Sequence, residues 1–216
     1  MNVKITQETA NATEAAMKAE TSLPAVDTSG NGVVGKLTTE IRPGSGQVLL
    51  DASSVLNFPD TQLSARIAAK AAADYMKKDI SMYDVIYSIR ANATVVEGPS
   101  AGLSMAVSAV MAFRNASMRD DIMMTGAIDE KGSVLPVGSI FEKANAAKAG
   151  GARIFLVPPN QSSYSDYMKK TSCKPFDGFE VCRTDYEPQK AGIGSLINIT
   201  VAEVISLEDA VKYFIQ

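Results

Sequence analysis

The chain has 216 residues, of which 46% are hydrophobic and 21% are charged, and this balance predicts a globular protein with a substantial buried core. Its net charge of −3 gives no basic surface for nucleic acid, and no stretch approaches the roughly 20 apolar residues that span a bilayer. Because the chain contains no histidine, it can form neither a four-ligand cysteine and histidine zinc site nor a serine–histidine catalytic pair.

The first 30 residues differ in composition from the rest of the chain. They are rich in alanine, threonine, glutamate and asparagine and contain few large apolar side chains. We therefore expect residues 1–30 to form a loosely structured leader, with a short helix around residues 13–20. The folded domain is expected over residues 31–216.

Strand and helix patterns follow one another through this domain. Alternating or continuous apolar runs between turn signals predict strands over residues 33–42, 47–51, 83–93, 121–128, 133–137, 153–157 and 197–205. Apolar residues at helical spacing predict helices over 60–76, 100–113, 139–149 and 207–214, with Ser139 as the cap of the third helix and Gly150 at its end. Such a mixture indicates a mixed α/β or α+β domain.

The two cysteines lie in a polar, turn-rich stretch over residues 160–196. Cys173 and Cys182 flank the dipeptide Asp177-Gly178, which is a hairpin turn signal between two short apolar runs. A hairpin would bring the two sulfurs opposite each other, so we predict a disulfide, with two free buried thiols as the alternative. A disulfide would favour an oxidising compartment.

The segment Gly98-Pro99-Ser100-Ala101-Gly102 satisfies G-x-S-x-G, a pattern typical of a serine nucleophile. Since no histidine is present, the base would have to be a lysine that burial keeps neutral. At a helix N-terminus, the backbone N–H groups of Ser100 and Ala101 could stabilise an oxyanion, while Gly98, Pro99 and Gly102 would lie close to the substrate. The alternative is that Ser100 only caps a helix after a Gly-Pro turn.

Lys143 is the candidate base. It shares one face of the predicted helix 139–149 with Ile140 and Ala147, and desolvation there would lower its pKa, as a base requires. The hydroxyl of Thr125 could orient the amine. The alternative is that Lys143 extends to the surface beside Glu142.

Five segments, taken together, resemble the proteolytic domain of the Lon proteases: residues 97–105, 124–128, 132–138, 142–147 and 149–158. The resemblance covers roughly residues 33–158, with a looser match over 197–214. It implies that Ser100 is the nucleophile, that Lys143, 43 positions later, is its base, and that Thr125 lies near the lysine. It also implies the α+β class and the Lon-type fold, and it identifies residues 159–196 as an insertion that carries the cysteine hairpin.

The resemblance favours an ATP-independent, Lon-like serine endopeptidase that hydrolyses unfolded or flexible polypeptides, since the sequence leaves no room for an ATPase module. We expect no cofactor, no metal and no nucleic-acid partner, and a hexameric ring is implied by the family. The alternative is a non-catalytic Lon-like domain used for assembly or partner binding. A location outside the cytoplasm or at a membrane is favoured, with any signal or anchor absent from this sequence; a cytoplasmic location is the alternative.

One further motif points to a function that we do not expect. Residues 30–36 satisfy G-x-x-x-x-G-K, the pattern of a phosphate-binding loop. However, Leu37 follows where Mg²⁺ binding needs Ser or Thr, and the next residues predict a strand instead of a helix. Nucleotide binding is therefore not predicted.

Overall fold

The computed structural model of the chain describes residues 16–51, 55–56, 59–92, 95–96, 98–177 and 179–215. The strands are β1 Met17–Asp27, β2 Gly32–Pro43, β3 Val48–Asp51, β4 Val55–Leu56, β5 Tyr83–Arg90, β6 Val95–Val96, β7 Ile122–Met124, β8 Ala127–Ile128, β9 Val134–Leu135, β10 Ile154–Val157, β11 Ser163–Phe176, β12 Phe179–Gly192 and β13 Thr200–Glu203. The α-helices are α1 Pro59–Tyr75, α2 Gly102–Phe113, α3 Ile140–Ala149, α4 Ile193–Ile197 and α5 Leu207–Val211. The α+β class is confirmed.

The largest sheet has six strands in the order β3-β5-β2-β1-β6-β4, and its central strands are antiparallel. Helix α2 packs on β1 and β2 and also against α1. All twelve residues of α2 are buried, because it has the sheet on one side and helices on others. A separate parallel sheet, in the order β13-β10-β7, lies beside α3.

The predicted leader is wrong for residues 17–27. Strand β1 pairs with β2 from Met17 opposite Ile41 to Val26 opposite Gly32, where a short helix and a loose segment were expected. Its inward side chains, such as Ala19 and Leu23, alternate along the strand and are buried, so small residues satisfy the strand pattern without a strong apolar signal. Residues 1–15 lie outside the described part of the chain.

The single strand predicted over residues 121–128 is divided into β7 and β8. The backbone turns at Gly126, which has φ 156°. β7 pairs with β10, whereas β8 pairs with β9, and the amide of Thr125 donates to the carbonyl of Leu156 at 3.0 Å. The break therefore moves the chain from one sheet to another, and it does so beside Ser100.

The cysteine segment is a regular hairpin and not a turn-rich stretch. β11 and β12 have 14 residues each and pair from Ser163 opposite Gly192 to Phe176 opposite Phe179. Cys173 lies directly opposite Cys182, and their sulfurs are joined at 2.04 Å. The predicted disulfide is present, and both cysteines are exposed, so the alternative of buried free thiols is wrong.

The remaining predicted helices correspond to α1, α2, α3 and α5 with ends that differ by a few residues. Helix α4, which follows the hairpin, was not predicted. Within the described ranges, no helix has the length and apolar character that crossing a membrane requires.

Candidate active site

Ser100 lies in a short 3-10 turn, Pro99–Ala101, that leads directly into α2. Proline suits this first position because it lacks an N–H group that would have no helical partner there. The carbonyl oxygen of Ser100 accepts a hydrogen bond from the amide of Gly126 at 3.0 Å. The residue between β7 and β8 therefore helps to hold the turn in place. The Ser100 side chain is buried, with 9% of the residue exposed.

Lys143 reaches this serine from α3. Its Nζ atom donates to Oγ of Ser100 at 2.7 Å, and only 3% of the residue is exposed. Lys143 therefore does not extend to the surface, and that alternative is wrong. The predicted cap by the Ser139 side chain is also wrong, because Ser139 adopts φ 57° and makes no side-chain capping bond.

The electrostatic setting of Lys143 is unusual. Among the side chains that the structure describes, it is the only Lys, Arg, Asp or Glu that is buried. Removing an ammonium group from water is unfavourable, so burial favours the neutral amine. A neutral amine beside a hydroxyl can accept that hydroxyl's proton, which is the chemistry of general-base catalysis.

Thr125 lies at the same place, with 1% of the residue exposed. Its hydroxyl donates to the carbonyl oxygen of Ser100 at 3.4 Å. The structure therefore brings together the three predicted residues Ser100, Lys143 and Thr125. The orientation of the lysine amine by Thr125 stays a prediction, as does the use of the Ser100 and Ala101 amides for an oxyanion.

The two glycines of the motif have different surroundings. Gly98 and Pro99 are partly or fully exposed, and a Cβ atom on Gly98 would meet no atom of the described residues within 4 Å, so this side of the turn is open to that extent. Gly102 is buried, and a Cβ atom there would lie 2.8 Å from Oγ of Ser64. Its missing side chain lets α2 pack against α1, and its predicted place beside the substrate stays a prediction.

Ser64 on α1 is a residue that the sequence analysis missed. It is buried, and its hydroxyl donates to the carbonyl oxygen of Pro99 at 3.4 Å, just before the candidate nucleophile. Its neighbours on the same face of α1, Ala68 and Ala71, are small and apolar. The available signal was the hydroxyl pair Thr61 and Ser64, one helical turn apart on that otherwise small and apolar face.

Neither of the other motifs builds a second site. The segment over residues 30–36 begins in the turn after β1 and continues as β2, so no helix follows it to present backbone amides. Cys173, Glu180 and Cys182 lie close enough together to suggest a metal site, but the disulfide uses both sulfurs.

Comparison with known proteins finds a match to one protein family. Residues 25–172 match the family described as the Lon protease (S16) C-terminal proteolytic domain. The Lon protease of Nitratidesulfovibrio vulgaris is 33% identical over 158 residues, which cover 68% of this chain and 18% of the relative. The Lon protease of Phenylobacterium zucineum is 32% identical over 133 residues (60% of this chain, 17% of the relative), and that of Escherichia coli K12 is 30% identical over 125 residues (56% and 16%).

The matches cover more than half of this chain but only a small part of each relative. The chain spans less than a fifth of the length of the curated relatives it matches. The matched region includes Ser100, Thr125 and Lys143, together with the elements that carry them. By the match over residues 25–172, the chain belongs to the Lon protease family through its proteolytic domain.

Proposed function

We propose that this chain is a serine endopeptidase in which Ser100 is the nucleophile and Lys143 is the general base. The observation that carries the proposal is the contact of 2.7 Å between Nζ of a buried lysine and Oγ of a serine at the start of a buried helix. A domain kept only for assembly or partner binding has no need of a buried amine at this position. The family membership supports peptide-bond hydrolysis as the reaction.

In the proposed reaction, the neutral amine of Lys143 takes the hydroxyl proton while Oγ of Ser100 bonds to the peptide carbonyl carbon. The negative charge on the tetrahedral oxygen is stabilised by backbone N–H groups of the turn that holds Ser100 and Ala101. The C–N bond then breaks, and the Lys143 ammonium gives its proton to the leaving amine. Water attacks the acyl-enzyme while Lys143 takes one of its protons. The ester C–O bond then breaks, the Lys143 ammonium returns that proton to Oγ of Ser100, and a carboxylic acid is released.

The test compares cleavage of an unstructured peptide by the wild type, Ser100→Ala and Lys143→Ala. Lys148→Ala is the matched control, because Lys148 lies on the same helix with an exposed side chain. Loss of cleavage in the first two variants, with full activity in the control, is the expected result. Equal turnover in all four proteins would reject the dyad.

We further propose that cleavage needs no nucleotide and that the substrates are unfolded or flexible polypeptides. The strand conformation of residues 32–36, within the only G-x-x-x-x-G-K segment of the sequence, supports the first part. The second part follows from the first, since a peptidase without an energy source cannot unfold a stable protein. Degradation of a stably folded protein as fast as its denatured form, without added nucleotide, would reject it.

The assembly, the compartment and the domain limits are proposals of the same kind. A hexameric ring rests on family membership, and the mass of the protein in solution tests it. A location in an oxidising compartment is supported by the disulfide between Cys173 and Cys182. The interpretation of residues 159–196 as an insertion stays a proposal, and the family match itself continues past residue 159 to residue 172, within β11.

A further inference from the structure

The segment that leads into α3 lacks its own side-chain cap. Ser139 precedes the helix with φ 57°, a left-handed conformation that is unfavourable for a residue other than glycine, and its hydroxyl makes no capping bond. The carbonyl of Ser139 accepts the amide of Lys143 at 3.0 Å, so the first helical hydrogen bond of α3 joins this strained residue to the lysine. The position of Lys143 therefore depends on whatever holds the residues just before Ser139.

Gln161 holds them. Its Oε1 atom accepts the amide of Val137 at 3.0 Å, and its Nε2 atom donates to the carbonyl of Val137 at 2.8 Å. One side-chain amide thus satisfies both backbone groups of Val137, as a neighbouring strand would in an antiparallel ladder. Two bonds to one residue fix its orientation as well as its position, two residues before Ser139.

Gln161 is itself anchored from the opposite side. The amides of Asn160 and Ser162 donate to the two carboxylate oxygens of Glu203 at 2.9 and 3.0 Å. Glu203 ends β13, which belongs to the parallel sheet beside α3. Hydrogen bonds to a carboxylate are about twice as strong as those between neutral groups, so they hold the turn around Gln161 firmly on that sheet.

We infer that Gln161 is a positioning residue for Lys143. Glu203 fixes the turn, the turn presents the Gln161 amide, and this amide fixes Val137 and the start of α3. The inference rests on the proposed function, because a contact of 2.7 Å between Lys143 and Ser100 matters most if a proton crosses it. A displacement of about 1 Å at such a contact can lower a catalytic rate by up to about a hundredfold.

The experiment compares the wild type with Gln161→Ala, Gln161→Glu and the control Gln62→Ala, whose glutamine is exposed on α1. Three quantities are measured: the rate at which a small p-nitrophenyl ester acylates Ser100, kcat and KM for an unstructured peptide, and amide hydrogen exchange over residues 136–143. For Gln161→Ala we expect acylation and kcat to fall about tenfold or more, KM to stay within about twofold, and exchange to become faster. Gln161→Glu keeps the acceptor for Val137 N–H but loses the donor to its carbonyl, so it should be intermediate.

Unchanged acylation and unchanged exchange in Gln161→Ala would overturn the inference. If Gln161→Ala does not fold, the same two measurements on Gln161→Glu decide, and values equal to the wild type overturn it. Failure of the proposed function has a different signature, because the wild type would then be neither acylated nor active. Hydrogen exchange over residues 136–143 would still report in that case whether Gln161 holds the start of α3.

Discussion

Gly32 on β2 lies directly against the carbonyl group of Glu142 on α3, the residue that precedes the candidate base. A Cβ atom on Gly32 would stand far inside 3.0 Å of that carbonyl oxygen, and 3.1 Å from Cβ of Ala146. Because the obstacle is helix backbone, Gly32→Ala must push α3 away from the sheet. Overpacking of this kind costs about 1–3 kcal/mol, so we expect a lower free energy of unfolding, together with slower acylation of Ser100.

The control for this prediction is Gly138→Ala. Within the described part of the chain, a Cβ atom on Gly138 would meet no atom within 4 Å, and its backbone is not left-handed, so the melting temperature should stay close to that of the wild type. A Gly32→Ala protein that melts and is acylated like the wild type would show that α3 can move without consequence for Lys143.

Thr125→Val tests the role of the hydroxyl that donates to the backbone of Ser100, while it keeps the shape of the side chain. The variant loses the bond to the carbonyl of Ser100, so we expect about 1 kcal/mol less stability and slower acylation of Ser100. Thr39→Val is the matched control, since it removes the buried 2.6 Å bond to Ser108 on α2, away from the motif. It should lose stability with no change in acylation rate, and equal acylation in both variants would assign Thr125 a purely structural role.

The sequence was sufficient to predict the main helices and the three residues of the candidate site. Apolar spacing located α1, α2 and α3 within a few residues. The order of the motifs predicted that Ser100, Thr125 and Lys143 lie close together, as they do in the structure. The central strand β1 was not predicted, because small side chains such as Ala19 and Ala25 give only a weak apolar signal. They are buried by the helices that cover the strand, which the local sequence does not show.

The supporting residues could not be predicted in the same way. Ser64 and Gln161 act through backbone carbonyl and amide groups that are distant in sequence, at Pro99 and Val137. For Ser64 the sequence offered only a hydroxyl on an otherwise apolar helix face, which does not indicate its partner. For Gln161 the residue type gives no indication of the contact, since a solvated glutamine in a turn has the same local pattern. The break at Gly126 was missed for a related reason: the residues on both sides are apolar and read as one strand.

The turn that carries Gln161 should weaken in acid. The side chain of Ser162, and after it the amide of Asn160, hold the pKa of the Glu203 carboxyl below its ordinary value of 4.5. A carboxyl with a lowered pKa stabilises the fold above its ordinary value, and this contribution is lost as the pH falls through the folded-state pKa. The melting temperature of the wild type should therefore exceed that of Glu203→Gln at pH 7, and the difference should shrink below about pH 4.5.

The comparison with Glu203→Gln removes the effect of other acidic groups. The pKa of Glu20 is lowered to about 2, mainly by hydrogen bonds from Lys36 and Lys18, and both proteins share this carboxyl. Its titration therefore cancels in the difference. A difference that is independent of pH would show that Glu203 does not anchor the turn through its charge.

The hydroxyl of Tyr87 on β5 can be removed, we expect, without loss of stability. Its hydroxyl is fully buried and has no hydrogen-bond partner among the described residues, and burial raises the pKa of the phenol. An unsatisfied buried hydroxyl costs about 1–3 kcal/mol, so Tyr87→Phe should leave the free energy of unfolding in urea unchanged or raise it. A loss of more than about 1 kcal/mol would reveal a partner for this hydroxyl.

The disulfide should stabilise the hairpin without affecting the candidate active site. Cys173 and Cys182 are exposed and nine positions apart, and a cross-link over so short a loop contributes roughly 2–3 kcal/mol to the structure it closes. The base of the hairpin is held separately, through the stacking of Tyr164 on Phe141, with ring centroids 4.5 Å apart. A protein with both cysteines changed to serine should thus be cut faster by an added protease within residues 165–190, while acylation of Ser100 keeps its rate. If faster cutting of the hairpin is accompanied by slower acylation of Ser100, the hairpin and α3 are coupled. The stack between Phe141 and Tyr164 is then the contact that couples them.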